Sequence, residues 1–252
     1  MLGYGTRGQG PQRVVFLNDW LCDTSTWDGA RQYLDETRCT WAFADLRGYG
    51  KSRGQRGSFT VEEISGDVVE LAAALGWRRF AIVGHSMSTL AAAHLAQHHA
   101  MLIARVVLIA PPPPRGFGYD DSTMDAVRAL ALDEDEQRLR GLRRMLGDRL
   151  SDGWIRYKAE RWRATSDVQA VAEYVALFGR RGLPDPERRI EAPVLAIAGE
   201  EDAPPMRSAA LQPLLAPLCK SLTLTPFADC GHYPMQEMPP RLAATVERFV
   251  GE

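Results

Sequence analysis

Short apolar, β-branched runs alternate along this chain with longer stretches of helical period, a pattern that predicts strand–helix units. Arg13–Leu17, Thr40–Ala44, Phe80–Val83, Arg105–Ala110, Val194–Ala198 and Ser221–Pro226 read as strands. Helices are expected at about Trp27–Leu34, Thr60–Leu75, Leu90–His99, Arg207–Leu215 and Pro240–Val250. The second of these carries Val61, Ile64, Val68, Leu71 and Leu75 on one stripe, and Thr60-Val-Glu-Glu63 reads as a capping box that starts it. Residues 1–12, rich in glycine and polar groups, leave room for a small leading strand. Strands separated by helices imply right-handed crossovers and an α/β fold with a mostly parallel, doubly wound sheet.

The alternation stops at Pro111–Pro114, four residues that cannot continue a sheet. Strand patterning is absent from there to about residue 190, and helices are expected at roughly 121–132, 134–149, 151–163 and 167–179. Glu191-Ala-Pro193 leads back to the sheet. The expected organisation is a core of residues 1–112 and 191–252, with a helical insertion at 113–190. Acidic and basic residues nearly balance in the insertion, which reads as a solvated outer face. Trp154, Tyr157, Trp162, Tyr174 and Phe178 either form an aromatic underside or pack the insertion onto the core.

Composition narrows the picture by exclusion. The 252 residues, 45% of them hydrophobic and 25% charged, suit a globular α/β chain. A net charge of −2 gives no electrostatic case for nucleic acid or an acidic membrane surface. No apolar run approaches the roughly 20 residues that cross a bilayer, and the N-terminus lacks a signal peptide's apolar core. A cytoplasmic protein with neither nucleic-acid nor membrane partner is therefore expected. Cys22, Cys39, Cys219 and Cys230 form no Cys-x-x-Cys pair and are expected as reduced, mostly buried thiols.

The chemistry centres on Gly84-His85-Ser86-Met87-Ser88, where the strand at 80–83 passes directly into a helix. A tight turn there pushes a serine hydroxyl clear of the sheet. The helix N-terminus offers unpaired N–H groups to a negatively charged oxygen. A serine at a helix start also serves as a plain N-cap. The stretch resembles the nucleophile elbow, Gly-x-Ser-x-Gly, of the α/β-hydrolase family, with Ser88 in place of the second glycine and Thr89 where another is frequent. Further along, Gly199-x-x-Asp202 and Gly231-His232-Tyr-Pro-x-x-Glu-x-Pro resemble that family's acid and histidine loops. Asp45-Leu-Arg47-Gly48-Tyr-Gly50-Lys-Ser52 resembles its bracing Asp-x-Arg-Gly-x-Gly-x-Ser loop, with Arg47 expected to pair with a carboxylate.

The resemblance implies an α/β-hydrolase fold with a helical cap and a catalytic Ser86, Asp202 and His232. It also implies an oxyanion hole from the backbone N–H groups of Trp20 and Met87. Glu200, Glu201 and Asp229 fit the acid position less well. The substrate pocket is expected to involve Trp20, His85, Trp154, Trp162 and Tyr233, with His85 as a supporting residue. Neither a cofactor nor a metal is expected. His94 and His98 lie one helical turn apart but lack the glutamate of a His-Glu-x-x-His site. The sharpest departure is Asn18-Asp19 where the family usually has His-Gly. Asp19 either faces the oxyanion, opposing catalysis by like-charge repulsion, or turns to the loop backbone. The implied function is cofactor-free serine hydrolysis of an ester, thioester or lactone of a small, largely apolar molecule through an acyl-enzyme. Carbon–carbon bond hydrolysis, lyase chemistry, cofactor-independent dioxygenation and ligand binding without catalysis are the alternatives.

Overall fold

The computed structural model describes residues 1–132 and 135–251. Its strands are β1 (Gly3–Arg7), β2 (Gln12–Leu17), β3 (Cys39–Asp45), β4 (Phe80–His85), β5 (Ile103–Ile109), β6 (Val194–Gly199) and β7 (Leu222–Phe227). The described residues form one seven-stranded sheet in the order β1-β3-β2-β4-β5-β6-β7. Only β1 pairs antiparallel, against β3; every other pairing is parallel. Nearly continuous apolar runs on β2, β4 and β5 follow from that arrangement, because a parallel strand covered on both faces has no wet side. The helices are α1 (Asp28–Arg31), α2 (Val61–Ala74), α3 (Ser88–His98), α4 (Asp121–Leu132), α5 (Asp135–Leu146), α6 (Asp152–Thr165), α7 (Val168–Ala176), α8 (Ser208–Leu215), α9 (Pro234–Glu237) and α10 (Pro239–Gly251). Four of them, α4 to α7, fall between β5 and β6.

Local chemistry explains where the elements depart from expectation. The helix anticipated over Trp27–Leu34 shrinks to α1, preceded by a 3-10 turn at Thr24–Trp27. Asp23 caps that tighter turn by accepting from Ser25 N, which starts the helical geometry three residues early and buries Trp27. The capping box at α2 is only half made. Thr60 Oγ1 accepts from Glu63 N at 3.1 Å, but the Glu63 carboxylate turns to the N–H groups of Ser58 and Phe59. The expected helix start at residue 134 lies outside the described residues. The last turn after α7 widens into a π-helix over Leu177–Arg181.

The loop after β3 is a brace. Asp45 accepts from the N–H groups of Thr24 and Lys51, and Arg47 grips Asp67 on α2 through two hydrogen bonds of 2.7 and 2.8 Å. His94 and His98 stack at 4.2 Å. His94 Nδ1 meets Ser65 Oγ, and His98 Nε2 lies 2.9 Å from Asp185. Among the described residues no group of three or more His, Cys, Asp or Glu side chains is arranged to hold a metal ion. All four cysteines are buried free thiols. No described helix is long and apolar enough to cross a membrane.

Ile82, fully buried at the centre of β4, gives a direct check on the sheet. Ile82→Ala is expected to lower the unfolding free energy by about 2–5 kcal/mol in a denaturant titration. A loss below about 1 kcal/mol would contradict its central packing.

Candidate active site

The parallel strands deliver four segments to one edge of the sheet: residues 18–22 after β2, Ser86 after β4, Asp202 after β6 and His232 after β7. Ser86 has φ +53°, a left-handed conformation that a residue with a Cβ adopts at a cost of about 1–3 kcal/mol. The turn is so tight that a Cβ on Gly84 would lie 2.8 Å from the Ser88 carbonyl oxygen and the Thr89 Cα. Ser88, in the place of the usual second glycine, does not loosen the turn. Its buried hydroxyl accepts from His85 N at 3.0 Å and donates to His85 O at 3.1 Å, closing the strand-to-helix corner. Ser86 N donates to Ile109 O, and Thr89 Oγ1 donates to Ser86 O.

The structure brings the three residues of the expected triad together. His232 Nε2 is 3.0 Å from Ser86 Oγ, and His232 Nδ1 is 2.8 Å from Asp202 Oδ2. Since the buried carboxylate is an acceptor, the imidazole proton sits on Nδ1 and leaves the Nε2 lone pair for the serine hydroxyl. Burial pushes the His232 pKa down, but the charge and hydrogen bond of Asp202 outweigh it and leave the ring above its ordinary value. Burial raises the Asp202 carboxyl, and His232 more than reverses that, so the group stays ionised.

The histidine loop is held on both flanks by one carboxylate. Glu237 Oε2 accepts from Gly231 N at 2.8 Å, and Oε1 accepts from Tyr233 N at 2.9 Å. Arg149, from the turn after α5, pairs with the same Glu237 at 2.7 Å, and its guanidinium occupies the space a Cβ on Gly231 would need. From below, His85 Nε2 donates to His232 O at 2.7 Å. His85 is fully buried beneath the histidine loop. Burial lowers its pKa, against the pull of Asp19.

Asp19 divides its two oxygens between the loop backbone and the interior. Oδ1 turns to the loop backbone and accepts from Leu21 N and Cys22 N. Oδ2 faces inward, 3.4 Å from His85 Nδ1 and 3.6 Å from Lys158 Nζ. Burial raises the Asp19 pKa, and Lys158 with His85 and the loop N–H overcome this, so the carboxylate is ionised well below its usual range. Asn18, where a histidine is usual, shapes the same loop: Nδ2 donates to the carbonyls of Asp19 and Cys22, and Oδ1 accepts from Leu46 N.

Trp20 is pinned at both ends. Its carbonyl accepts from Tyr49 OH at 2.7 Å, its indole N–H donates to Val171 O at 2.7 Å, and its ring packs on Trp162 and Phe178. Neither Trp20 N–H nor Met87 N–H donates to a protein acceptor among the described residues. Trp154 packs on Tyr233, which is itself buried against His85 and His232. Tyr174 lies in the core against Tyr49 and Phe59, and Tyr157 is exposed.

Three participants were not singled out from the sequence as members of the site: Lys158, Arg149 and Cys22. Lys158 had a legible signal. It occupies the buried stripe Ile155, Lys158, Ala159, Trp162 of α6, where a lysine has no place unless something inside receives it.

Residues 14–245 match the model of the alpha/beta hydrolase family, and the protein belongs to that family. Over 207 residues the chain is 27% identical to the non-heme haloperoxidase of Rhodococcus erythropolis, covering 75% of this chain and 74% of that one. A stretch of 112 residues is 32% identical to the pimeloyl-acyl-carrier-protein methyl ester esterase of Vibrio vulnificus, covering 44% of this chain and 41% of that one. The esterase EaEST from Exiguobacterium antarcticum superposes with a TM-score of 0.86 at 17% identity, over 99% of this chain and 95% of that one. The enol-lactonase from Burkholderia xenovorans superposes at 0.83 with 22% identity, over 100% and 96%. These structural likenesses concern the fold.

The histidine can be tested apart from any reaction. By NMR, the His232 ring is expected to titrate above about 6.5, the ordinary histidine value. In Asp202→Asn the largest opposition to burial is lost, leaving only the charges of Asp19 and Glu237, and the value falls. An unchanged titration in the variant would contradict the assignment of Asp202 as its partner.

Proposed function

We propose that the protein is a cofactor-free serine hydrolase that cleaves an ester, thioester or lactone of a small, largely apolar substrate through an acyl-enzyme. The observation that carries this reading is the unbroken hydrogen-bonded chain from Ser86 Oγ through the His232 ring to Asp202. His232 Nε2 takes the hydroxyl proton as Ser86 Oγ attacks the carbonyl carbon, and Asp202 holds the imidazole in the required tautomer and steadies the imidazolium. The N–H groups of Trp20 and Met87 receive the negative charge on the former carbonyl oxygen. His232 then protonates the leaving alcohol, thiol or ring oxygen. Water, deprotonated by the same nitrogen, releases the acyl group.

Residues 113–190 act in this reading as a cap. Trp162 and Phe178, from α6 and the π-turn after α7, lie against Trp20, and Trp154 lies against Tyr233. The apolar character of these contacts supports a substrate with an apolar acyl or alcohol part. The relatives named as esterases and a lactonase support the same class of bond.

Turnover of 4-nitrophenyl esters from acetate to octanoate tests the proposal. Ser86→Ala is expected to lower kcat/KM by about 10⁴-fold or more with an unchanged circular-dichroism spectrum. Activity within tenfold of wild type would end the reading.

The pH dependence has a definite sign. The working base is neutral His232, and its raised pKa moves the acid limb upward. Accordingly kcat/KM is expected to fall as pH drops through a value above about 6.5 and to level off on the alkaline side. A flat profile between about pH 5 and 8 would rule out His232 as the base.

A further inference from the structure

We infer that Lys158 is a positioning residue for the reaction proposed above, a buried ammonium that balances Asp19 so that the neighbouring Trp20 N–H can receive the substrate's oxyanion. The inference rests on that reading of Ser86 and adds to it a residue from the helical insertion.

Lysine is seldom buried without partners, and the Lys158 side chain is only 1% exposed. Its ammonium donates to Cys22 Sγ at 2.9 Å and to Thr26 Oγ1 at 3.4 Å, lies 3.6 Å from Asp19 Oδ2, and stands 4.6 Å from the centre of the Tyr233 ring. Every one of these groups belongs to the core, whereas Lys158 itself comes from α6. Burial lowers the lysine's pKa, but the facing Asp19 and Cys22 more than restore it, so it remains a cation. Burial holds Cys22 at about 11, a neutral thiol. The cluster therefore contains one full negative charge, Asp19, and one full positive charge, Lys158.

Besides the Lys158 ammonium, His85 and the Tyr233 side chain face Asp19, and neither brings a full positive charge while neutral. Oδ1 is spent on the loop N–H groups, and Oδ2 makes no hydrogen bond. His85 turns its Nε2–H to His232 O, so the Nδ1 it presents to Asp19 carries no proton while the ring is neutral. Remove the ammonium and an unscreened carboxylate remains one residue from the N–H that must meet developing negative charge. Repulsion of that kind grows as the oxyanion forms, so it lowers kcat more than it raises KM. The loop keeps its other anchors without Lys158: Tyr49 on the Trp20 carbonyl, Asn18 on its own loop, and Arg161 on Asp23.

The test is a double-mutant cycle of wild type, Lys158→Met, Asp19→Asn and the double variant. It reads kcat and KM on 4-nitrophenyl acetate and the rate of phosphonylation by a fluorophosphonate. Lys158→Met is expected to lower kcat and the phosphonylation rate by about 100-fold, with KM within about threefold. In the Asp19→Asn background the same change is expected to cost less than about fivefold, because no charge is left to balance. Equal losses in both backgrounds, no loss in the first, or a loss confined to KM would overturn the inference. Should Lys158→Met fail to fold, the double variant decides: folded and active supports the charge-balancing role, and unfolded or inactive refutes it. Failure of the underlying reading shows separately, as Ser86→Ala activity equal to wild type or as a wild type inert to both reagents.

Discussion

A left-handed serine at the end of a buried strand is the constraint on which the site depends. Ser86 holds φ +53° only because its neighbours leave no alternative. Gly84 permits the close pass of the helix, Ser88 ties the corner to His85, and Ser86 N is committed to Ile109 O on β5. A strain of about 1–3 kcal/mol is sustained by the packing of β4 and α3, which are buried almost throughout. The same strain lifts the hydroxyl off the sheet and toward His232. Substituting Ser88 for glycine keeps the turn because its hydroxyl is satisfied by the backbone it crowds.

Around that turn the protein pairs acidic with basic side chains across distant segments. Asp202 and His232 connect the ends of β6 and β7, and Glu237 braces the histidine loop while meeting Arg149. Asp19 and Lys158 join the loop after β2 to α6. Desolvating an ion is expensive, and each pair returns the cost only while both members are present. Two of the three pairs reach from the helices between β5 and β6 into the loops that flank Ser86. The position of those helices is thereby written into the electrostatics of the site.

Much of this was legible in the sequence, and the limits have physical causes. The strands announced themselves because the central parallel strands are largely apolar, and Ser86, Asp202 and His232 could be named because each follows a strand in a short, recognisable loop. Asp19 was flagged as a departure, but its partner was not. Apolar spacing marks the buried face of α6 but not what that face meets, and a balanced set of charges reads as a wet surface. Lys158 sits on the stripe of Ile155, Ala159 and Trp162, and only tertiary packing shows that the stripe closes over a carboxylate. Period-two alternation places His85 at the end of β4 but cannot say that its ring is spent on the His232 carbonyl. The short α1 has a similar cause, since the Asp23 cap drew the turn forward into 3-10 geometry.

The central claim is that Ser86 is an activated nucleophile, and covalent capture tests it most directly. Incubation with a fluorophosphonate probe, followed by digestion and mass spectrometry, should place the adduct on the peptide containing Ser86. Labelling should be absent from Ser86→Ala and suppressed by His232→Ala. An adduct on another residue, or equal labelling of Ser86→Ala, would contradict the account.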